Sequence, residues 1–138
     1  HLKLMLIDKR LGSKLIIKEN ASRLSVKPEY IFETDALEIL KSNNLGTEIN
    51  SPNRVILGGG GRQRSKLLKI ILERLSPKGI VVVPLTTVQA INELEKIFES
   101  YNCLLKISQH QSYRGVSISN GIRLNPMNPI FILKGQLK

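Results

Sequence analysis

Residues 54–84 read "RVILGGGGRQRSKLLKIILERLSPKGIVVVP", and a whole strand–helix–strand unit lies within them. "RVILG" (54–58) is a short β-branched and apolar run, the pattern of a strand. Residues 62 to 75 carry Leu67, Leu68, Ile71, Leu72 and Leu75 at helical spacing. "SPKG" then breaks the pattern, and "IVVVP" (80–84) has the continuous apolar character of a strand covered on both faces. Two strands joined by a helix of this length are parallel neighbours in an α/β sheet.

The same alternation extends in both directions. Downstream, "TTVQAINELEKIFES" (86–100) predicts a helix with Val88, Ile91, Leu94 and Phe98 turned inward. Upstream, "LKLMLID" (2–8) and "YIFET" (30–34) predict strands that end in polar residues. "GSKLIIKENASRL" (12–24) predicts a helix with Leu15, Ile17, Ala21 and Leu24 near one face. "DALEILKS" (35–42) predicts a short helix capped by Asp35. Residues 43–53 are rich in turn formers and predict a loop. "CLLKISQHQSY" (103–113) and "NPIFILKG" (128–135) close the chain as two strands with no helix between them, an antiparallel edge pair. The segment between these strands, 114–127, is expected to be loop-like. The expectation is one domain over 1–138: a mostly parallel sheet with helices on both faces and an antiparallel C-terminal strand pair.

Composition narrows the function. The chain has 138 residues, 41% of them hydrophobic, which suffices for a core and excludes a disordered chain. A net charge of +10 predicts an anionic partner. The basic residues are scattered and Trp is absent, so a nucleic-acid partner is disfavoured. Cys103 is the sole cysteine, which excludes an internal disulfide and a multi-cysteine zinc site; its setting in "NCLLKIS" predicts a buried thiol. With neither a signal peptide nor an apolar stretch of membrane-spanning length, a cytoplasmic protein without a membrane partner is expected.

In a doubly wound sheet, ligands bind beyond the carboxyl ends of the strands. Asp8, Thr34–Asp35, Gly58–Gly61 and Pro84–Thr87 all fall at that edge. A strand-end acid such as Asp8 can accept hydrogen bonds from both hydroxyls of a ribose, and it can equally be a solvated acid; Asp35 can serve an adenosine or cap a helix. The four glycines permit close approach of a ligand to the main chain. They match neither the Gly-Lys-Ser/Thr ending of a phosphate loop nor GxGxxG. Space for a bulky substrate is the preferred reading. Arg62, Arg64, Arg114 and Arg123 on or near the loops suit carboxylates, or serve solubility. His110 has no second His or acid spaced for a metal site or triad, and no GxSxG elbow exists. "NPMNP" (125–129) does not lie after the fourth strand, where an amino-group methyltransferase signature would, and sets the start of the last strand.

The strand ending in Asp8, "ETDALEIL", "RVILGGGG", "LLKIILERLSPKGIVVVPLTT" and "RGVSISNGIRLNPMNPIFILKG" together resemble the decarboxylating precorrin methyltransferases of the cobalamin pathway. The resemblance runs from Leu4 to Gly135, and its most specific parts are the glycine run and the ending. It implies a Rossmann-like fold and S-adenosylmethionine as cofactor. It implies methylation of carbon 15 of a precorrin, a polycarboxylate tetrapyrrole, with loss of carbon dioxide from the ring C acetate. By the resemblance, Asp8 takes the cofactor ribose; Thr34, Asp35 and Ala36 lie along the adenine; Gly58 borders the cofactor. Gly59, Gly60, Gly61, Arg62, Arg64 and Arg114 face the substrate. No residue is singled out as a general base, and no metal is implied. A homo-oligomer, a tetramer, and a fused or partner precorrin methylase domain are implied partners. The family's glycine-rich first loop is expected upstream of His1, making the domain N-terminally incomplete. "GGGGRQR" departs from the family in carrying arginines directly after the glycines. Two other readings fit the same residues: an RNA methyltransferase on this fold, and a truncated, non-catalytic assembly domain.

Overall fold

A computed structural model describes residues 3–42, 51–59 and 61–138. Gly60 and most of the expected 43–53 loop lie outside the described residues. The chain forms two compact units, His1–Asn50 and Ser51–Lys138.

The first unit contains β1 (Met5–Ile7), α1 (Ser13–Arg23), β2 (Tyr30–Phe32) and α2 (Ala36–Lys41). β1 and β2 pair in parallel, with Met5 opposite Tyr30 and Ile7 opposite Phe32. The α1 stripe differs from the expected one. Leu15 and Leu24 are exposed, while Ser13 is buried and Ile17 and Ala21 are half-buried. Residues two apart on a helix point away from each other, so Leu15 and Ile17 cannot share a face. The inward face follows the four-residue step Ser13–Ile17–Ala21, and Leu24 lies at the C-cap. Buried Ser13 draws the helix down: its hydroxyl donates to the Asp8 carbonyl at 3.1 Å.

The second unit contains β3 (Arg54–Ile56), a 3-10 turn (Gly61–Gln63), α3 (Arg64–Arg74), β4 (Ile80–Leu85), α4 (Val88–Ser100), β5 (Leu104–His110), β6 (Tyr113–Ile118), β7 (Gly121–Pro126) and β8 (Ile130–Gln136). Its main sheet has the order β3-β4-β8-β5. The β3–β4 pair is parallel, as the strand–helix–strand reading required, but β8 runs antiparallel between β4 and β5. The expected mostly parallel sheet is thereby corrected. Among the described residues only β1–β2 and β3–β4 are parallel. The C-terminal strands are antiparallel as expected, but they do not form an edge pair, because β8 is interior. Chain order reveals the connections, not the lateral order of strands.

Packing explains the position of β8. Leu133 is fully buried between Val83 and Ile107, its registered neighbours. Gly135 lies beneath the Phe98 ring of α4, where a Cβ would come within 2.2 Å of the ring. Val81, Val83 and Leu85 on β4 join Leu67, Leu68, Ile71 and Leu72 of α3 and Ile91, Leu94 and Phe98 of α4 in the core. The alternate β4 residues are only half-buried, so one face of this strand is sealed rather than both. Val88, expected inward, is exposed at the first turn of α4.

The segment 114–127, expected to be loop-like, largely forms the β6–β7 hairpin, with Ile118 registered on Gly121 across Ser119–Asn120. Its alternation of apolar and polar residues fits a two-stranded ribbon. Ser119 and Asn120, both common turn residues, make the connection. Tyr113, Val116, Ile118, Ile122 and Leu124 are exposed on it.

Candidate functional site

In the first unit, the parallel pairing carries the predicted residues to one edge. The Asp8 N–H donates to the Phe32 carbonyl at 3.0 Å, extending the β1–β2 ladder to the strand ends. Asp8 and the Thr34–Ala36 segment thus leave the sheet on the same, carboxyl side. The Asp8 carboxylate is already engaged. Its Oδ1 accepts from the Arg10 backbone N–H at 2.9 Å and from Arg10 Nε at 3.0 Å. Its Oδ2 accepts from Arg10 Nε at 3.1 Å and from Nη2 at 2.5 Å. The guanidinium hydrogen bonds, then the backbone one, pull the Asp8 pKa down to about 2. Asp8 and Arg10 line a hollow of about 270 Å³ together with Leu11, Ser13, Ile16 and Ile17.

Asp35 caps α2 as expected: its Oδ1 accepts from the Leu37 N–H at 2.8 Å. Ala36 is the first residue of that helix. The Thr34 hydroxyl donates to Glu38 Oε2 at 2.7 Å. Glu33 was not anticipated. Its Oε2 accepts from the Lys14 N–H at 2.9 Å, so a residue after β2 caps the start of α1. Backbone donors of Lys14 and Gly12 hold its carboxyl below the usual range. No local capping pattern signals this contact, because the two residues are far apart in sequence.

In the second unit, the Leu57 N–H donates to the Val82 carbonyl at 2.9 Å, and the glycine run begins just beyond. Among the described residues, a Cβ at Gly58 or Gly59 would meet nothing within 4 Å. Packing therefore does not demand glycine at either position. Gly61 differs: its φ of +47° is a conformation that side-chain-bearing residues rarely adopt. Arg62 sits exposed in the 3-10 turn, with no partner among the described residues. Arg64 turns back, and its Nε donates to the Gly59 carbonyl at 3.1 Å. This arginine therefore braces the loop as well as charging it. At the far end of β4, Thr87 caps α4, accepting from the Ala90 N–H at 3.4 Å.

Arg114 and Arg123 are brought together, on one face of the hairpin. Arg114 is registered opposite Asn125, and Arg123 Nε donates to Asn125 Oδ1 at 3.1 Å. The strand pairing that joins them was hidden while the segment read as a loop. His110 ends β5, with Nε2 3.0 Å from the Ser108 hydroxyl rather than beside an acid. Among the described residues no group of three or more His, Cys, Asp and Glu could hold a metal ion. Cys103 is half-buried rather than buried, and desolvation pushes its thiol up, away from a reactive thiolate. No helix among the described residues is long and apolar enough to cross a membrane.

Residues 2–134 match the model of the precorrin methyltransferase domain. The chain belongs to the precorrin methyltransferase domain family. Its fold is the Rossmann-like fold of S-adenosylmethionine-dependent methyltransferases. This domain is 30% identical to a Pyrobaculum aerophilum protein named "Probable cobalt-precorrin-6B C(15)-methyltransferase (decarboxylating)", over 95% of the chain and 64% of the relative. It thus spans less than two thirds of that relative's length. A Methanobrevibacter smithii protein of the same name is 28% identical, over 92% of the chain and 78% of that protein. Among solved structures, the precorrin 8W decarboxylase of Methanobacterium thermoautotrophicum superposes with a TM-score of 0.80 at 20% identity, covering 96% of the chain and 69% of the other.

Proposed function

We propose that the domain carries out S-adenosylmethionine-dependent methylation of carbon 15 of a precorrin tetrapyrrole, with decarboxylation of the ring C acetate, in cobalamin biosynthesis. The observation that carries this reading is the open main chain at Gly58 and Gly59, at the carboxyl end of β3. Glycines that no packing requires leave room for a flat macrocycle to approach. The names of the relatives support the same substrate.

The residues present fit the cofactor. Asp8 offers a strand-end carboxylate to a ribose diol, beside a hollow with the apolar side chains Leu11, Ile16 and Ile17. Thr34, Asp35 and Ala36 flank the adenosine. The cofactor supplies an electrophilic methyl group, and the protein's share of the work is positioning. Gly59–Gly61 border the macrocycle. Arg62, Arg114 and Arg123 pair with its carboxylates, and Arg64 holds the loop and adds charge. Carbon 15 gains the methyl group. The acetate loses its carboxyl carbon as carbon dioxide, the bonding electrons pass into the conjugated macrocycle, and a proton from solvent turns the remaining methylene into a methyl group.

Exposed apolar side chains on the β6–β7 hairpin support a homo-oligomer, a tetramer by the family resemblance. A fused or partner precorrin methylase would supply the substrate.

Calorimetric titration with S-adenosylhomocysteine tests the reading, followed by assay of carbon dioxide release from precorrin-6B. Micromolar binding with coupled methylation and decarboxylation is expected. Salt-sensitive RNA binding without precorrin turnover would instead favour the RNA methyltransferase reading.

A further inference from the structure

The residue that most affects the Asp8 site is one that neither composition nor resemblance singled out. Arg10 follows Asp8 by two positions, and its guanidinium engages both carboxylate oxygens through Nε and Nη2. The Arg10 backbone N–H takes a further position on Oδ1. A carboxylate has about four lone-pair sites, so this side-on grip covers most of its capacity. A ribose diol must donate to the same oxygens. The two occupants are therefore exclusive, and one must leave for the other to bind.

We infer that Arg10 is the affinity-setting residue of the cofactor site: its guanidinium holds Asp8 in the free protein and is displaced by the ligand diol. The inference rests on the ribose assignment of Asp8 made above. The Arg10 side chain is 83% exposed, against 26% for Asp8, so the guanidinium has open solvent to move into. An exposed ion pair is weak enough for a ligand to break, and strong enough to lower the ligand's apparent affinity. Arg10 also lines the hollow beside Asp8, so its departure leaves more room there. The guanidinium holds the acid in one orientation until the diol arrives.

Binding of S-adenosylhomocysteine to the full chain, measured by calorimetry, tests this without any turnover. Arg10→Ala is expected to tighten binding by about two- to fivefold, the range of an exposed carboxylate–guanidinium pair. Arg10→Gln, which keeps the side chain's bulk, is expected to do the same. The gain should vanish on an Asp8→Asn background and with a 2′,3′-dideoxy analogue, since neither offers the exchange. Unchanged or weaker binding by both Arg10 variants, with Asp8→Asn still harmful, would overturn the exchange while leaving the ribose assignment intact. An Asp8→Asn variant that binds normally would remove the ribose assignment, and the exchange with it. Circular dichroism of each variant separates these outcomes from misfolding.

Discussion

The ring of Phe98 covers Gly135 so closely that no side chain fits between α4 and β8. A Cβ on Gly135 would lie 2.2 Å from one ring atom and 2.4 Å from another. Phe98 is itself fully buried, so it has nowhere to turn. Gly135→Ala is therefore expected to destabilise the second unit by about 1–3 kcal/mol, the cost of overpacking a core. Urea unfolding followed by far-ultraviolet circular dichroism reads this directly. A variant as stable as the parent would show that α4 does not press on β8.

The glycine run separates two kinds of requirement. Gly61→Ala forces a left-handed conformation on alanine and is expected to cost roughly 1–2 kcal/mol. Gly58→Ala and Gly59→Ala meet no neighbour and should melt like the parent. If these glycines serve the macrocycle, each alanine should still lower precorrin turnover by about tenfold, a loss of about 1.4 kcal/mol in the transition state. Full activity in both would mean that the open backbone has no bearing on substrate.

Arg114 and Arg123 share a hairpin face, so their effects should be selective. Replacing both with Glu is expected to weaken tetrapyrrole binding at least tenfold, by loss of two carboxylate partners, while leaving S-adenosylhomocysteine affinity unchanged. Fluorescence quenching by the tetrapyrrole and calorimetry of the cofactor product distinguish the two. Equal loss of both would indicate a folding defect, and a parallel melting curve guards against that reading.

Acid should loosen the first unit. Asp8 is lowered from 3.8 to about 2 by Arg10, and Glu33 is lowered below 4.5 by the N–H groups of Lys14 and Gly12. A depressed folded pKa means that the unfolded chain takes up protons first as pH falls. The stabilisation is complete above the unfolded values and disappears as pH falls from about 4.5 towards about 2, the span set by these shifts. Hydrogen exchange of α1 amides across this range should show protection falling with pH. Glu33→Gln is expected to flatten that dependence, and an unaltered slope would dismiss the α1 cap.

Asp35 is a cap first. Asp35→Ala should cost about 1 kcal/mol of local stability through loss of the Leu37 N–H acceptor. Hydrogen exchange at Leu37 and Glu38 would register it. Asp35→Asn keeps an acceptor oxygen, so it should preserve the cap and expose any separate effect on cofactor affinity.

Local patterns settled much of this protein. The four buried apolar residues of α3, with Leu75 just past its end, the Asp35 cap and the β3–α3–β4 unit follow from spacing and residue type, because helix periodicity and capping are local physics. The family was legible too, in the glycine run and the C-terminal stretch. Tertiary structure alone decided where β8 inserts, because lateral strand order depends on which surfaces fit, and here Gly135 fits beneath Phe98. The hairpin that unites Arg114 with Arg123 depended on pairing between strands, which no single segment announces. Glu33 reached α1 from a distant part of the chain, and Arg10 found Asp8 only through the geometry of the turn after β1. Sequence identified the residue types at the candidate site; their present partners, and so which groups are free to meet a ligand, came from the folded chain.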